Sequence, residues 1–117
     1  MLTVCVDFDG VIHSYRQVGL GSYVVADPPV PGAIHWLRTL VDSAKVYIHT
    51  TRMLDDGAEG AMREWLSRNG LPEDALSQLV FTARKVPAEL YIDDRAFRFE
   101  GTFPTVDEIA RMKPWNR

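Results

Sequence analysis

Four short apolar runs punctuate the chain: residues 2–8 (LTVCVDF), 45–50 (KVYIHT), 79–82 (LVFT) and 90–92 (LYI). Strands covered on both faces read as continuous apolar runs rather than as an alternation of apolar and polar positions. Between these runs the apolar positions recur at helical spacing. Ile34, Leu37, Leu40 and Val41 predict a helix to about residue 43, opened by Pro31 at its first position. Met62, Trp65 and Leu66 mark the core face of a second helix. Asp55, Asp56 and Gly57 lead into it, with acids suited to the helix dipole, and Asn69, Gly70 and Pro72 end it. A short helical piece is predicted over 73–77, with 85–87 a loop and 97–99 a short edge strand. Thr105 and Glu108 match a capping box, so a last helix should run to about Met112. Residues 114–117 read as a non-helical tail, with Arg111, Lys113 and Arg117 solvated.

Strands alternating with helices imply parallel crossovers, hence an α/β fold with a doubly wound, Rossmann-like parallel sheet. Residues 11–30 form a long connection; 14–18 and 23–26, around Gly19 and Gly21, predict a small hairpin that acts as a flap over the first strand's end. At 117 residues, with 46% hydrophobic and 25% charged, the chain suits one domain over 1–117. The net charge of -3 supplies no global attraction to nucleic acid. The single cysteine, Cys5, excludes a disulfide framework and a cysteine-based zinc site, and reads as a buried structural thiol. No leader is visible and no run approaches the ~20 apolar residues of a membrane span. The expectation is a soluble, cytoplasmic protein without a membrane partner, either monomer or homo-oligomer.

The first apolar run ends in Asp7-Phe8-Asp9-Gly10-Val11, two carboxylates one residue apart followed by a glycine that permits a tight turn. Open α/β sheets bind ligands at the carboxyl ends of their strands. The other strand ends, or the loops beside them, carry Thr50, then Lys85, then Asp93 and Asp94. Parallel strands put all of these on one edge. Three or four carboxylates with no matching Cys or His set favour a hard cation on oxygen ligands, Mg²⁺ first. A hydroxyl and an ammonium beside that cation suit a phosphoryl group, whose charge is spread over several oxygens.

Asp7-Phe8-Asp9-Gly10-Val11 resembles the first motif of the haloacid dehalogenase-like superfamily, in its phosphatase branch. Ile48-His49-Thr50 resembles the second motif, Lys85 the third, and Tyr91-Ile92-Asp93-Asp94 the fourth, in order over nearly the whole chain. The Ile-Asp-Asp-Arg stretch is also similar to the phosphatase domain of polynucleotide kinases. The resemblance implies a Mg²⁺-dependent phosphomonoester hydrolase acting through an aspartyl-phosphate. Asp7 would be the nucleophile, and Asp9 would protonate the leaving oxygen and then activate water. Thr50 would bond the phosphoryl group, and Lys85 would neutralise it and hold Asp7. The metal set implied is Asp7, Asp9 (through its backbone carbonyl), Asp93 and Asp94, with Asp93 preferred as the direct ligand and Asp94 as second acid or support. Gly10, Thr51 and Arg52 are candidate phosphate contacts.

Both connections in which relatives insert cap domains are short here, 11–30 and 83–89, so the resemblance implies a capless core, either open to a bulky substrate or closed by a neighbouring subunit. The phosphorylated substrates it admits are nucleotides, sugar phosphates and nucleic-acid ends. Arg52 and Arg95 either pair with neighbouring aspartates or contact substrate. Tyr15, Tyr23 and His13 are further candidates for substrate contact, whereas Trp36 and Trp65 read as packing and His35 as exposed. Two other classes use similar residues: a receiver-like phosphoacceptor signalling module and a catalytically silent binding protein. A carboxylate two residues after the first favours turnover over storage of the phosphoryl group.

Overall fold

The apolar runs form one all-parallel sheet in the computed structural model, which describes residues 1–116; Arg117, read as part of the solvated tail, lies outside them. Its strands are β1 (Leu2–Asp7), β2 (Ala44–His49), β3 (Val80–Thr82) and β4 (Leu90–Ile92), in the order β3-β2-β1-β4. The chain lays β2 and β3 to one side of β1 and then crosses to place β4 on the other. That reversal puts a topological switch point at β1, where ligand crevices form in such sheets.

Register decides what meets at the rim. Asp7 pairs with His49, His49 with Thr82, and Val6 with Ile92. The residues next along the chain, Phe8, Thr50, Ala83 and Asp93, therefore leave the sheet at nearly one height.

Val4, Val6, Val46, Ile48 and Phe81 of the strands pack with Leu37, Met62, Trp65 and Leu66 of the helices, all buried. Cys5 is buried among them, as its strand position predicted, and burial pushes its thiol up. The helices are α1 (Ala33–Leu40), α2 (Ala58–Arg68), α3 (Glu73–Leu76) and α4 (Val106–Arg111). Helix α1 starts two residues later than Pro31 suggested, capped by Gly32, and its last turn tightens into bonds from Asp42 N to Thr39 O and Ser43 N to Leu40 O. A short 3₁₀ helix, Thr51–Leu54, intervenes between β2 and α2. The capping box opens α4 as expected, both reciprocal bonds between Thr105 and Glu108 being present, yet α4 buries none of its residues. Among the described residues no helix is long and apolar enough to cross a membrane.

Two expectations are corrected. The 14–18 and 23–26 segments do not pair as a hairpin: the Asp27 carboxylate takes the Gln17 backbone N–H, and Arg52 takes the carbonyls of Gly21, Ser22 and Val24. Side chains thus take Gln17 N–H and Val24 C=O, groups a ladder would use. Residues 97–99 form no strand, and β4 is left as the sheet's edge. The last crossover is a loop, as read for 85–87; seven residues, 83–89, carry the chain from β3 across β2 and β1 to β4.

Candidate active site

Parallel register and the turn after β1 bring Asp7, Asp93 and Asp94 together. One carboxylate oxygen from each lies within 4.8 Å of the others. Like charges at that separation repel by about 3 kcal/mol per pair at an effective dielectric of about 20. Asp7 bears the consequence. Burial first, then a carboxyl–carboxyl contact with Asp94 and the charges of Asp93 and Asp94, push its carboxyl up to about 8, against which the Phe8 N–H at 3.0 Å pulls only weakly. Asp93 accepts the Arg95 backbone N–H at 2.7 Å. Asp94 Oδ1 is buried and has no hydrogen-bond partner among the described residues. Gly10 sits at φ 91°, and a Cβ there would overlap the Asp94 carboxylate. Glycine is therefore required at this position twice, for its backbone angle and for the space it leaves.

Asp9 turns to a different neighbourhood. Arg52 grips it as a fork, Nε to Oδ2 at 2.8 Å and Nη2 to Oδ1 at 3.0 Å. Its Oδ1 also lies 2.8 Å from His13 Nδ1. His13 is 1% exposed, and its Nε2 accepts the Asp27 N–H at 3.1 Å, so the ring's proton sits on Nδ1 and faces Asp9. Although burial opposes it, the His13 and Arg52 hydrogen bonds and the guanidinium charge hold the Asp9 carboxyl below its ordinary value. Arg52, 7% exposed, also donates through Nη1 to the flap carbonyls of Ser22 and Val24, both at 3.0 Å. One side chain thus ties the flap to the acidic motif.

A cleft of about 330 Å³ lies above these groups, lined by Asp7, Asp9, Tyr15, Thr50, Asp93 and Arg95, with His49 and Thr51 completing the wall. Thr50 caps the 3₁₀ helix, its Oγ1 accepting the Arg52 N–H at 3.2 Å, which leaves the hydroxyl proton to donate. A smaller cleft of about 200 Å³ lies on the flap side of Asp9, between Thr51, Arg52 and residues 17–24.

The rim therefore collects Asp7, Asp9, Thr50, Thr51, Asp93 and Asp94 as expected, with Gly10 beneath Asp94. Lys85 is not brought there. Its ammonium lies over the Tyr91 ring, 5.3 Å from the centroid. The reason is the short crossover: 83–89 must leave the rim at once, dropping from the level of Asp7 to that of Val4 while crossing two strands. Arg95 lines the cleft instead. His13 is not exposed to substrate but packed under Asp9, a relation its spacing of four from Asp9 could have suggested. Residues 114–116 are non-helical as expected, but their anchoring was missed. Trp115 Nε1 donates to the Gly10 carbonyl and Asn116 Nδ2 to the Ser14 carbonyl, each at 2.7 Å. No periodicity signals such a return.

Comparison with known protein families, with curated proteins and with solved structures finds no match to this chain.

Proposed function

We propose that the chain is a Mg²⁺-dependent phosphomonoester hydrolase, a doubly wound, capless core of the haloacid dehalogenase-like kind that works through an aspartyl-phosphate on Asp7. The observation that carries this reading is the meeting of Asp7, Asp93 and Asp94 from two adjacent strand ends, with Asp9 two residues on and Thr50 in the same cleft.

The donor set fits the metal. Three carboxylates offer only hard oxygens, and the orphaned buried Asp94 Oδ1 is an acceptor that a cation or a proton would satisfy. Asp7, Asp93 and Asp94 would hold the ion, with the Asp9 carbonyl a further oxygen expected from the resemblance. Mg²⁺ bound there would screen Asp7 from a phosphate dianion and draw off the proton that the metal-free cluster keeps on Asp7.

The chain's own groups divide the rest. Ionised Asp7 attacks phosphorus, the ester oxygen leaves, and water then releases phosphate from the Asp7 acyl phosphate. Asp9, held as a carboxylate, suits the base of that second step. Giving a proton to the leaving oxygen in the first step requires Arg52 to release Asp9 and Asp9 first to take up a proton from solvent. The Thr50 hydroxyl donates to a phosphoryl oxygen. The cationic role expected of Lys85 passes to Arg95, which lines the cleft.

The test is phosphate release from a panel of nucleotides, sugar phosphates and end-phosphorylated oligonucleotides. Turnover with Mg²⁺ that stops on chelation supports the proposal. No release from any substrate at any Mg²⁺ concentration refutes it.

A further inference from the structure

A second cavity of about 450 Å³ is walled by Asp94, Arg95, Phe97, Arg98, Met112 and Lys113. Arg95 lines both cavities, and Asp94 belongs to the acidic cluster as well, so the two spaces adjoin. The wall comes from two distant segments, the residues after β4 and those after α4. The second segment is pinned by Trp115 on Gly10 and Asn116 on Ser14. The tail that builds the cavity is thus fastened to the loop that carries Asp9.

The cations around this space are not taken up in ion pairs. Arg38, Arg52 and Arg63 each meet a carboxylate. Among the described residues Arg95, Arg98 and Lys113 meet none within 4.0 Å. Three cations around one cavity, against the single acid Asp94, form an anion trap beside a site that handles phosphate. Phe97 and Met112, each 45% exposed, add an apolar patch to the same wall.

We propose that this cavity is a second anion subsite, which takes a further phosphate on the leaving portion of the substrate while Phe97 and Met112 contact an aromatic base. The inference rests on the phosphatase reading and narrows its substrate to a nucleoside carrying a phosphomonoester and at least one more phosphate. A free nucleoside bisphosphate and the end of a short strand share that chemistry.

The test compares a nucleoside 5′-monophosphate, the corresponding 3′,5′-bisphosphate and a 5′-phosphorylated dinucleotide. The full chain is assayed with Mg²⁺, as wild type and as the Arg98→Glu, Lys113→Glu double variant, both positions being exposed and without described hydrogen bonds. Wild type should favour the two extended substrates in kcat/KM by about tenfold or more, as one or two charge-assisted contacts allow. The double variant should erase that preference, chiefly through KM, and flatten its salt dependence. Preference for the dinucleotide over the bisphosphate would identify a strand end; the reverse would identify the free nucleotide. An unchanged preference in the variant, with the urea midpoint showing it folded, overturns the subsite and leaves the phosphatase reading standing. Binding of the bisphosphate to Asp7→Asn protein, by calorimetry without turnover, separates the two the other way. Binding that is lost on charge reversal supports the subsite even if no phosphate is ever released, and binding indifferent to it refutes the subsite.

Discussion

Removing the Asp7 charge should stabilise the metal-free protein, and more so as pH rises. The native Asp7 carboxyl holds its proton to about 8, whereas the unfolded one releases it near 3.8. Between those values the native state binds more protons, so this group's contribution is complete below 3.8 and falls away until pH passes about 8. The full difference of roughly four units would be worth roughly 5 kcal/mol. Asp7 is only partly buried, and solvent screening brings the figure to about 2 kcal/mol. The assay is urea unfolding in a chelator at pH 5 and pH 8. Wild type should lose about 1.5 kcal/mol more than Asp7→Asn across that interval, about three quarters of the full span. Mg²⁺ at pH 8 should restore wild type and leave the variant unmoved. Parallel pH profiles for the two proteins would refute the claim that the acids crowd one another.

Other parts of the site make separate predictions. Arg52→Ala leaves Asp9 buried without its fork and frees the flap carbonyls; it should cost about 3 kcal/mol and speed hydrogen exchange across residues 17–24, and Arg52→Lys should not restore the bidentate contact. Gly10→Ala forces a side chain into the Asp94 carboxylate at a positive φ; Mg²⁺ affinity by calorimetry should fall about tenfold or more. Thr105→Ala removes half of the capping box from a helix that buries nothing; amide exchange in α4 should rise while the global urea midpoint stays put, since about 1 kcal/mol of cap acts on a locally opening segment.

Element identity was readable because each strand is a short apolar run and each main helix has an apolar face. Val4, Val6, Ile48, Met62 and Leu66 are buried as their spacing required. The convergence of Asp7, Thr50, Asp93 and Asp94 followed from one premise, parallel strands in register. What went astray depended on groups distant in sequence. The flap has strand-like residues around two glycines, but Arg52 and Asp27, from outside any hairpin, take its backbone groups first. Lys85 sits at a plausible spacing from β3, yet a crossover of seven residues has no slack to hold it at the rim. Trp115 and Asn116 reach Gly10 and Ser14 across about a hundred residues of chain, a contact no local pattern encodes. The Asp9–Arg52 fork lay between the two: both residues stood out, and their partnership needed the fold.

The most direct test is the covalent one. Asp9→Asn protein, mixed with a turned-over phosphomonoester and Mg²⁺ and quenched in acid, should carry one phosphoryl group, labile to hydroxylamine, on the peptide that contains Asp7. Phosphate release by wild type with no such adduct at Asp7, or with the label on another residue, would contradict the account.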